Sequence, residues 1–325
     1  MSLEDVARKY AVSVSPILLA LVDPADPNDP IARQFLPSLE ELNIVPEERA
    51  DPIGDAVHSP VPGIVHRHPD RVLFKAVSSC PVYCRFCFRR ESIGPGKPNA
   101  LSPQDFENAF AYVAAHPEIW EVILTGGDPF ILSARRAAEI TQRLAAIPHV
   151  KIVRWHTRVP MVDPARVSDD FIGALIAPGV TTWVAIHANH AKEFSPEARR
   201  AIARLGAAGI ALVSQSVLLK GVNDDVESLA ALMRSFVEAG VKPYYLHHPD
   251  LAPGTSHFRL GIEEGLALVR DLRAQLSGLA QPNYMLDLPG GFGKVALDSG
   301  AVEKTPSGHR IRDAAGEWHV YPPAC

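Results

Sequence analysis

Cys80-Pro81-Val82-Tyr83-Cys84-Arg85-Phe86-Cys87-Phe88-Arg89-Arg90 is the stretch that decides the fold. It holds three of the four cysteines of the chain, at CxxxCxxC spacing; the fourth is Cys325. Soft thiolates are the usual protein ligands of iron–sulfur clusters. A [4Fe–4S] cube held by Cys80, Cys84 and Cys87 keeps its fourth iron open, much as a catalytic zinc keeps one position for substrate. An open iron can chelate a small molecule through an amine and a carboxylate. The plainer readings are a structural zinc site lacking a nearby fourth ligand, or three unrelated thiols; zinc knuckles seldom use this spacing.

Around that stretch the chain is ordinary in composition. Its 325 residues are 47% hydrophobic and 21% charged, enough for one large core. A net charge of −5 gives no general attraction to nucleic acid or to an anionic membrane. Few cysteines, mostly clustered, argue against a disulfide framework and for a reducing compartment. The start, Met1-Ser2-Leu3-Glu4-Asp5, has no signal-peptide character, and the run Pro16–Val22 is too short to span a bilayer. A cytoplasmic protein is expected.

Residues 1–65 read as an N-terminal helical cap with a packing role, broken by the proline-rich stretch Asp23–Pro30. Apolar runs of strand length follow at Val72–Val77, Val122–Thr125, Lys151–Trp155, Thr182–Ile186, Ala211–Gln215 and Pro243–Leu246. Helical patterns lie between most of them, with start signals at Ser102-Pro103, Ser133 and Ser195-Pro196. This alternation implies parallel βα units in an α/β fold. With no GxGxxG after the first strand, a partial (β/α)6-type barrel is favoured over a doubly wound sheet, and its reactive residues belong at the strand C-termini. The core is expected over 66–294, and a short β-rich tail over 295–325 covers the barrel.

The strand ends carry the candidates. Gly126, Gly127 and Asp128 close the second strand, where paired glycines let backbone approach a ligand or simply make a tight turn. Arg158 follows the third, a cation able to grip a phosphate bidentately. His187 closes the fourth and Gln215 the fifth; each suits a ligand-lined mouth or satisfies loop backbone. Asp250 lies beyond the sixth. Further on comes Met285-Leu286-Asp287-Leu288-Pro289-Gly290-Gly291-Phe292-Gly293-Lys294. The Walker spacing is absent there. The alternative is a lysine delivered by a flexible glycine segment into an apolar site, suited to forming an imine with an aldehyde cofactor.

The cysteine spacing, with an aromatic before the third cysteine and glycines after the second strand, resembles the radical S-adenosylmethionine (SAM) superfamily. From about His66 to Lys294 the chain resembles, more closely, the lysine 2,3-aminomutase family, radical SAM enzymes that also use pyridoxal 5′-phosphate (PLP). The resemblance implies that Arg89 holds the substrate carboxylate and Lys294 carries PLP. It implies a PLP phosphate site at Arg67 and His68, where the family usually has tyrosine at the latter, together with Arg158. Asp250 and Asp287 fall where two acids hold the distant ammonium of lysine. Gly126, Gly127, Asp128, His187 and Gln215 fall on the SAM side, Gln215 within Ser214-Gln215-Ser216-Val217-Leu218-Leu219. Phe292 replaces a common glycine and leaves Lys294 in register.

The implied activity converts L-lysine to β-lysine. One electron from the cluster cleaves SAM to methionine and a 5′-deoxyadenosyl radical, which removes hydrogen from C3 so that the nitrogen migrates from C2. A one-electron reductase of flavodoxin or ferredoxin type is the implied partner. No zinc is expected, since Cys325 alone cannot replace the cysteine group of longer members. The oligomeric state is open, a homo-oligomer included. Three other readings are weighed: a lysine aminomutase serving β-lysylation of elongation factor P or a 2,3-aminomutase for glutamate or arginine; a PLP enzyme with an incidental zinc knuckle; and a zinc-dependent interaction module.

Overall fold

The computed structural model describes residues 2–94, 100–306 and 308–323; Cys325 lies outside them. Its backbone is a nine-stranded sheet whose spatial order equals its chain order. The strands are β1 (Ile64–His68), β2 (Arg71–Val77), β3 (Glu121–Gly126), β4 (Ile152–Thr157), β5 (Thr181–His187), β6 (Ala211–Val217), β7 (Lys242–His247), β8 (Asn283–Leu288) and β9 (Gly293–Ala296). Strands β2 to β8 run parallel. Hairpins add β1 and β9 antiparallel at the two edges. The edges do not pair with each other, yet Arg67 of β1 reaches Asp287 of β8 at 3.4 Å. The sheet is therefore rolled into a partial barrel, with a seam bridged by side chains.

Periodicity marks six of the parallel strands; β1, β8 and β9 are additions. They escape it for a physical reason. In β1 the residues His66, Arg67 and His68 are polar, and β8, as long as β3, runs straight into the glycine turn that leads to β9.

Alternation on the strands sets what faces inward. On β3, Val122 and Leu124 join the core with Phe106, Phe110 and Val113 of the helix Pro103–Ala115, while Ile123 and Thr125 line the interior cavity. On β4, Val153 and Trp155 are in the core, and Arg154 and His156 face the cavity. The helix caps lie where the serines predict: Oγ of Ser102, Ser133 and Ser195 each accepts an N–H of the first turn.

The N-terminal segment folds into the short helices Leu3–Lys9, Pro16–Leu21 and Pro30–Phe35 with 3-10 turns at Leu39–Leu42 and Ala56–His58. The tail forms a separate antiparallel sheet of β10 (Val302–Thr305), β11 (Gly308–Arg312) and β12 (Trp318–Tyr321), matching the expected β-rich covering. No helix among the described residues is long and apolar enough to cross a membrane.

Candidate active site

One cavity of about 530 Å³ runs the length of the barrel interior. Cys80, Cys84 and Cys87 line it at the C-terminal face, with Lys294, Asp250, Asp287, Arg67 and His68 along the seam. At the opposite end Arg154 closes onto Glu121 at 3.0 Å.

The seam end is built by two hairpins. Gly290, Gly291 and Gly293 turn β8 into β9 with φ of +92°, +89° and +91°, a conformation that side chains other than glycine rarely adopt. The register sets Lys294 directly opposite Asp287, and its ammonium is seated on the Asp287 carboxylate. The environment is thus ionic, not the apolar site expected for this lysine. Burial would push the Asp287 carboxyl up, but Lys294, His247 and Arg67 outweigh it and hold the carboxyl below its ordinary range. Asp250, at the end of β7, has the opposite fate: burial, then Asp287, push it up to about 8.

The β1–β2 hairpin brings Arg67, His68 and Arg71 to the same end. Arg67 also donates to Ile53 O at 2.7 Å and Asp55 at 3.3 Å, and its Nε is buried without a partner. His68 packs so near Gly293 that a Cβ there would lie 3.4 Å from its Cε1. Burial, then Arg71 and Arg67, bring His68 down to about 4, so it is neutral at pH 7. A phosphate beside Lys294 would find these donors, one of them an orphan, so the residues fit PLP.

Arg89 rises from the cysteine loop into the same cavity. Its guanidinium lies 3.0 Å from Asp55 and 3.4 Å from Thr125 Oγ1. Asp55 also faces Arg67 at 3.3 Å and Lys75 at 3.9 Å. Burial would raise its carboxyl, but Arg89, Lys75 and Arg67 hold it low. The supposed packing cap therefore supplies a charged group to the site. A second cap acid, Glu41, is fully buried and receives both Arg85 and Arg90, fixing the cysteine loop from behind.

At the cysteine end, burial pushes all three thiols up, Cys87 to about 11. Cys84 and Cys87 each raise Cys80, which puts the three near one another. Yet among the described residues no three His, Cys, Asp or Glu converge on a single ion.

At the end of β3 the glycines make a tight turn against the cysteine loop. The Gly127 N–H goes to Val77 O at 2.7 Å and that of Asp128 to Ser79 O at 3.0 Å. A Cβ on Gly127 would sit 2.1 Å from Ser79 O, so the glycine serves the approach of this turn to the cysteine loop. The Asp128 carboxylate accepts from Thr157 Oγ1 at 2.8 Å and the Arg158 N–H at 2.7 Å, a structural tie. His187 and Gln215 line the cavity.

Arg158 is the main correction. Instead of joining Arg67 and His68 at the phosphate end, its guanidinium pairs with Glu193 at 2.6 Å and donates to Cys84 Sγ at 3.5 Å. A buried cation turns to the buried carboxylate within reach, and Glu193 comes from the loop after β5. Sequence reasoning also missed Asp55, Arg71, Glu193 and the cavity-lining His156. Arg71 was findable, since it closes the segment that begins at Arg67. The others carry no local signal.

Comparison with known proteins identifies relatives of the chain. The radical SAM superfamily matches residues 76–233. The L-lysine 2,3-aminomutase of Clostridium subterminale is 38% identical over 290 residues, 89% of this chain and 69% of that protein. The L-lysine 2,3-aminomutase of Escherichia coli K12 is 36% identical over 291 residues, covering 90% of this chain and 84% of its own. The glutamate 2,3-aminomutase of Clostridioides difficile is 33% identical over 295 residues, covering 91% and 69%. Likeness of this order along most of its length makes the chain a member of the lysine 2,3-aminomutase family within the radical SAM superfamily.

Proposed function

We propose that this chain is an L-lysine 2,3-aminomutase that moves the α-amino group of L-lysine to C3, giving β-lysine. The observation that carries the reading is the pair of buried carboxylates, Asp250 and Asp287, with a lysine ammonium already seated on one of them. When bound, a [4Fe–4S] cluster on Cys80, Cys84 and Cys87 supplies the electron that opens SAM to a radical, and PLP on Lys294 carries the migrating nitrogen.

The residues of the chain divide the remaining work. Arg89 binds the α-carboxylate by exchanging its Asp55 partner for the substrate. Asp250 gives up its proton as the ε-ammonium arrives, and Asp287 becomes available once Lys294 releases its charge. Arg67, His68 and Arg71 hold the phosphate, with His68 as a neutral donor. Gln215 and His187 line the SAM side. The cap, anchored through Glu41 and Asp55, keeps water from the radical.

A glutamate substrate would set a third carboxylate against Asp250 and Asp287, which disfavours that reading. An arginine substrate keeps the favourable charge and is a necessary control. We also propose a cytoplasmic setting, an external one-electron reductase, and free lysine as the substrate even if the product serves elongation factor modification. The test is anaerobic reconstitution with iron and sulfide, then assay with SAM, PLP, dithionite and each of L-lysine, L-glutamate and L-arginine. β-Lysine from L-lysine alone is expected. Turnover of glutamate or arginine in its place refutes the proposal.

A further inference from the structure

We infer that Arg158 sets the reduction potential of the cluster on the cysteine loop through its hydrogen bond to the Cys84 sulfur, with Glu193 as its counterweight. The inference rests on the cluster reading above and goes beyond it, since it assigns a tuning pair to the protein around the cluster.

The geometry excludes a mobile surface cation. Arg158 is 6% exposed. Its Nη1 lies 3.5 Å from Cys84 Sγ. Its Nη2 reaches Glu193 at 2.6 Å and Gln34 Oε1 at 2.7 Å. The guanidinium also lies over the Phe35 ring, 4.6 Å from its centroid, and 5.4 Å from that of Phe86. Glu193, fully buried, accepts the N–H groups of Asn189 and His190 at 2.8 and 3.0 Å, so it is fixed independently of the arginine. A phosphate needs the guanidinium fork, and here one arm is already spent on a carboxylate that repels anions. Nε has no acceptor in the protein although it is buried.

The direction of the effect follows from charge. Reduction adds one electron to the cluster, taking the Fe4S4 core from 2+ to 1+, and neither makes nor breaks a bond to the protein. An N–H donor and a positive charge at a ligating sulfur stabilise the added electron and raise the potential. A carboxylate beyond the arginine opposes this. In a water-free interior both effects are large. Arg158 is therefore a positioning residue for electrons, and it need not touch substrate.

The experiment is an anaerobic redox titration of the reconstituted enzyme with dithionite, following the EPR signal of the reduced cluster. Iron is counted in every sample. Arg158→Gln is expected to lower the reduction equilibrium constant at least tenfold, about 59 mV for a one-electron couple. Glu193→Gln keeps an acceptor for the two N–H groups and is expected to shift the potential upward. A merely structural pair would not move the potential in opposite directions. Potentials unchanged in iron-replete variants, or shifted the same way in both, overturn the inference and leave the cluster reading standing. If Arg158→Gln binds no iron, Glu193→Gln decides alone: an upward shift supports the inference and no shift overturns it. A wild-type protein that takes up no iron overturns both.

Discussion

Replacing Asp250 with asparagine separates the substrate's requirements from those of the fold. In the ligand-free protein burial and the neighbouring Asp287 push this carboxyl up to about 8. At pH 7 its protonated form then outnumbers the ionised form by about ten to one. Asparagine matches that neutral form in shape, so cluster and PLP content should stay at wild-type levels. An arriving ε-ammonium asks the aspartate to ionise, at a cost of about 1 kcal/mol at pH 7. The buried pair so formed is worth about 3–5 kcal/mol to keep intact. The difference, about 2–4 kcal/mol, predicts a loss of roughly 30- to 1000-fold in kcat/KM for lysine. Because binding releases a proton, wild-type kcat/KM should climb by up to about tenfold per unit between pH 6 and 8 and then level off. The asparagine variant should be flat over that range. Stability carries the opposite sign. Folding raises this carboxyl from 3.8 to about 8, so the native state holds the proton more tightly than the unfolded chain. The wild type therefore loses stability as pH rises between those values. The variant, with no proton to lose, should unfold at a higher temperature than wild type at pH 8. Initial rates of β-lysine formation across pH, with thermal unfolding at two pH values, measure both effects. A variant within threefold of wild type that keeps the wild-type pH slope would refute the reasoning.

Three more perturbations address the rest of the site. Borohydride reduction of the PLP-loaded enzyme should place the pyridoxyl label on Lys294, and Lys294→Ala should lose the label while still binding SAM; a label on Lys220 or Lys75 would reassign the carrier. Gly127→Ala sets a Cβ 2.1 Å from Ser79 O, so it should displace the cysteine loop and cut reconstituted iron by more than half; full iron content would contradict the close approach. Asp55→Asn releases the Arg89 fork from a competing carboxylate. It should lower KM for lysine roughly fivefold, about the net worth of one hydrogen bond, whereas a rise in KM would mean that Asp55 orients Arg89.

What the sequence reveals here depends on whether a function is written locally. The cysteine loop and the glycine-rich approach to Lys294 are contiguous, and both are legible. The pairing of Lys294 with Asp287 was only half visible, because a strand register decides it. Asp55 and Glu193 were invisible: each is a single acid in a loop, and its meaning comes from arginines tens of residues away. Arg158 shows the same limit from the other side. A cation after a strand fits a phosphate as well as a sulfur, and only the carboxylate of Glu193, fixed by two backbone N–H groups, decides which way it turns. The strands were found where both faces bury apolar residues, as on β3. β1 was missed because His66, Arg67 and His68 interrupt the apolar pattern.

The seam between β1 and β9 gives the barrel wall a gap with no backbone ladder across it. It is laced by Arg67 to Asp287, by Arg67 to Ile53 O, and by His58 to Gly291 O at 2.9 Å. A coenzyme tied to Lys294 on one lip and gripped by Arg67 and His68 on the other would act as a rivet through that gap. Loading and closure are then one event. Amide protons of β1 and β9 should exchange together and slow together on loading, while those of β4 and β5, deep in the wall, stay indifferent. Such an enzyme stripped of its coenzyme is a hoop with an open clasp, and heat or proteases should find it there first.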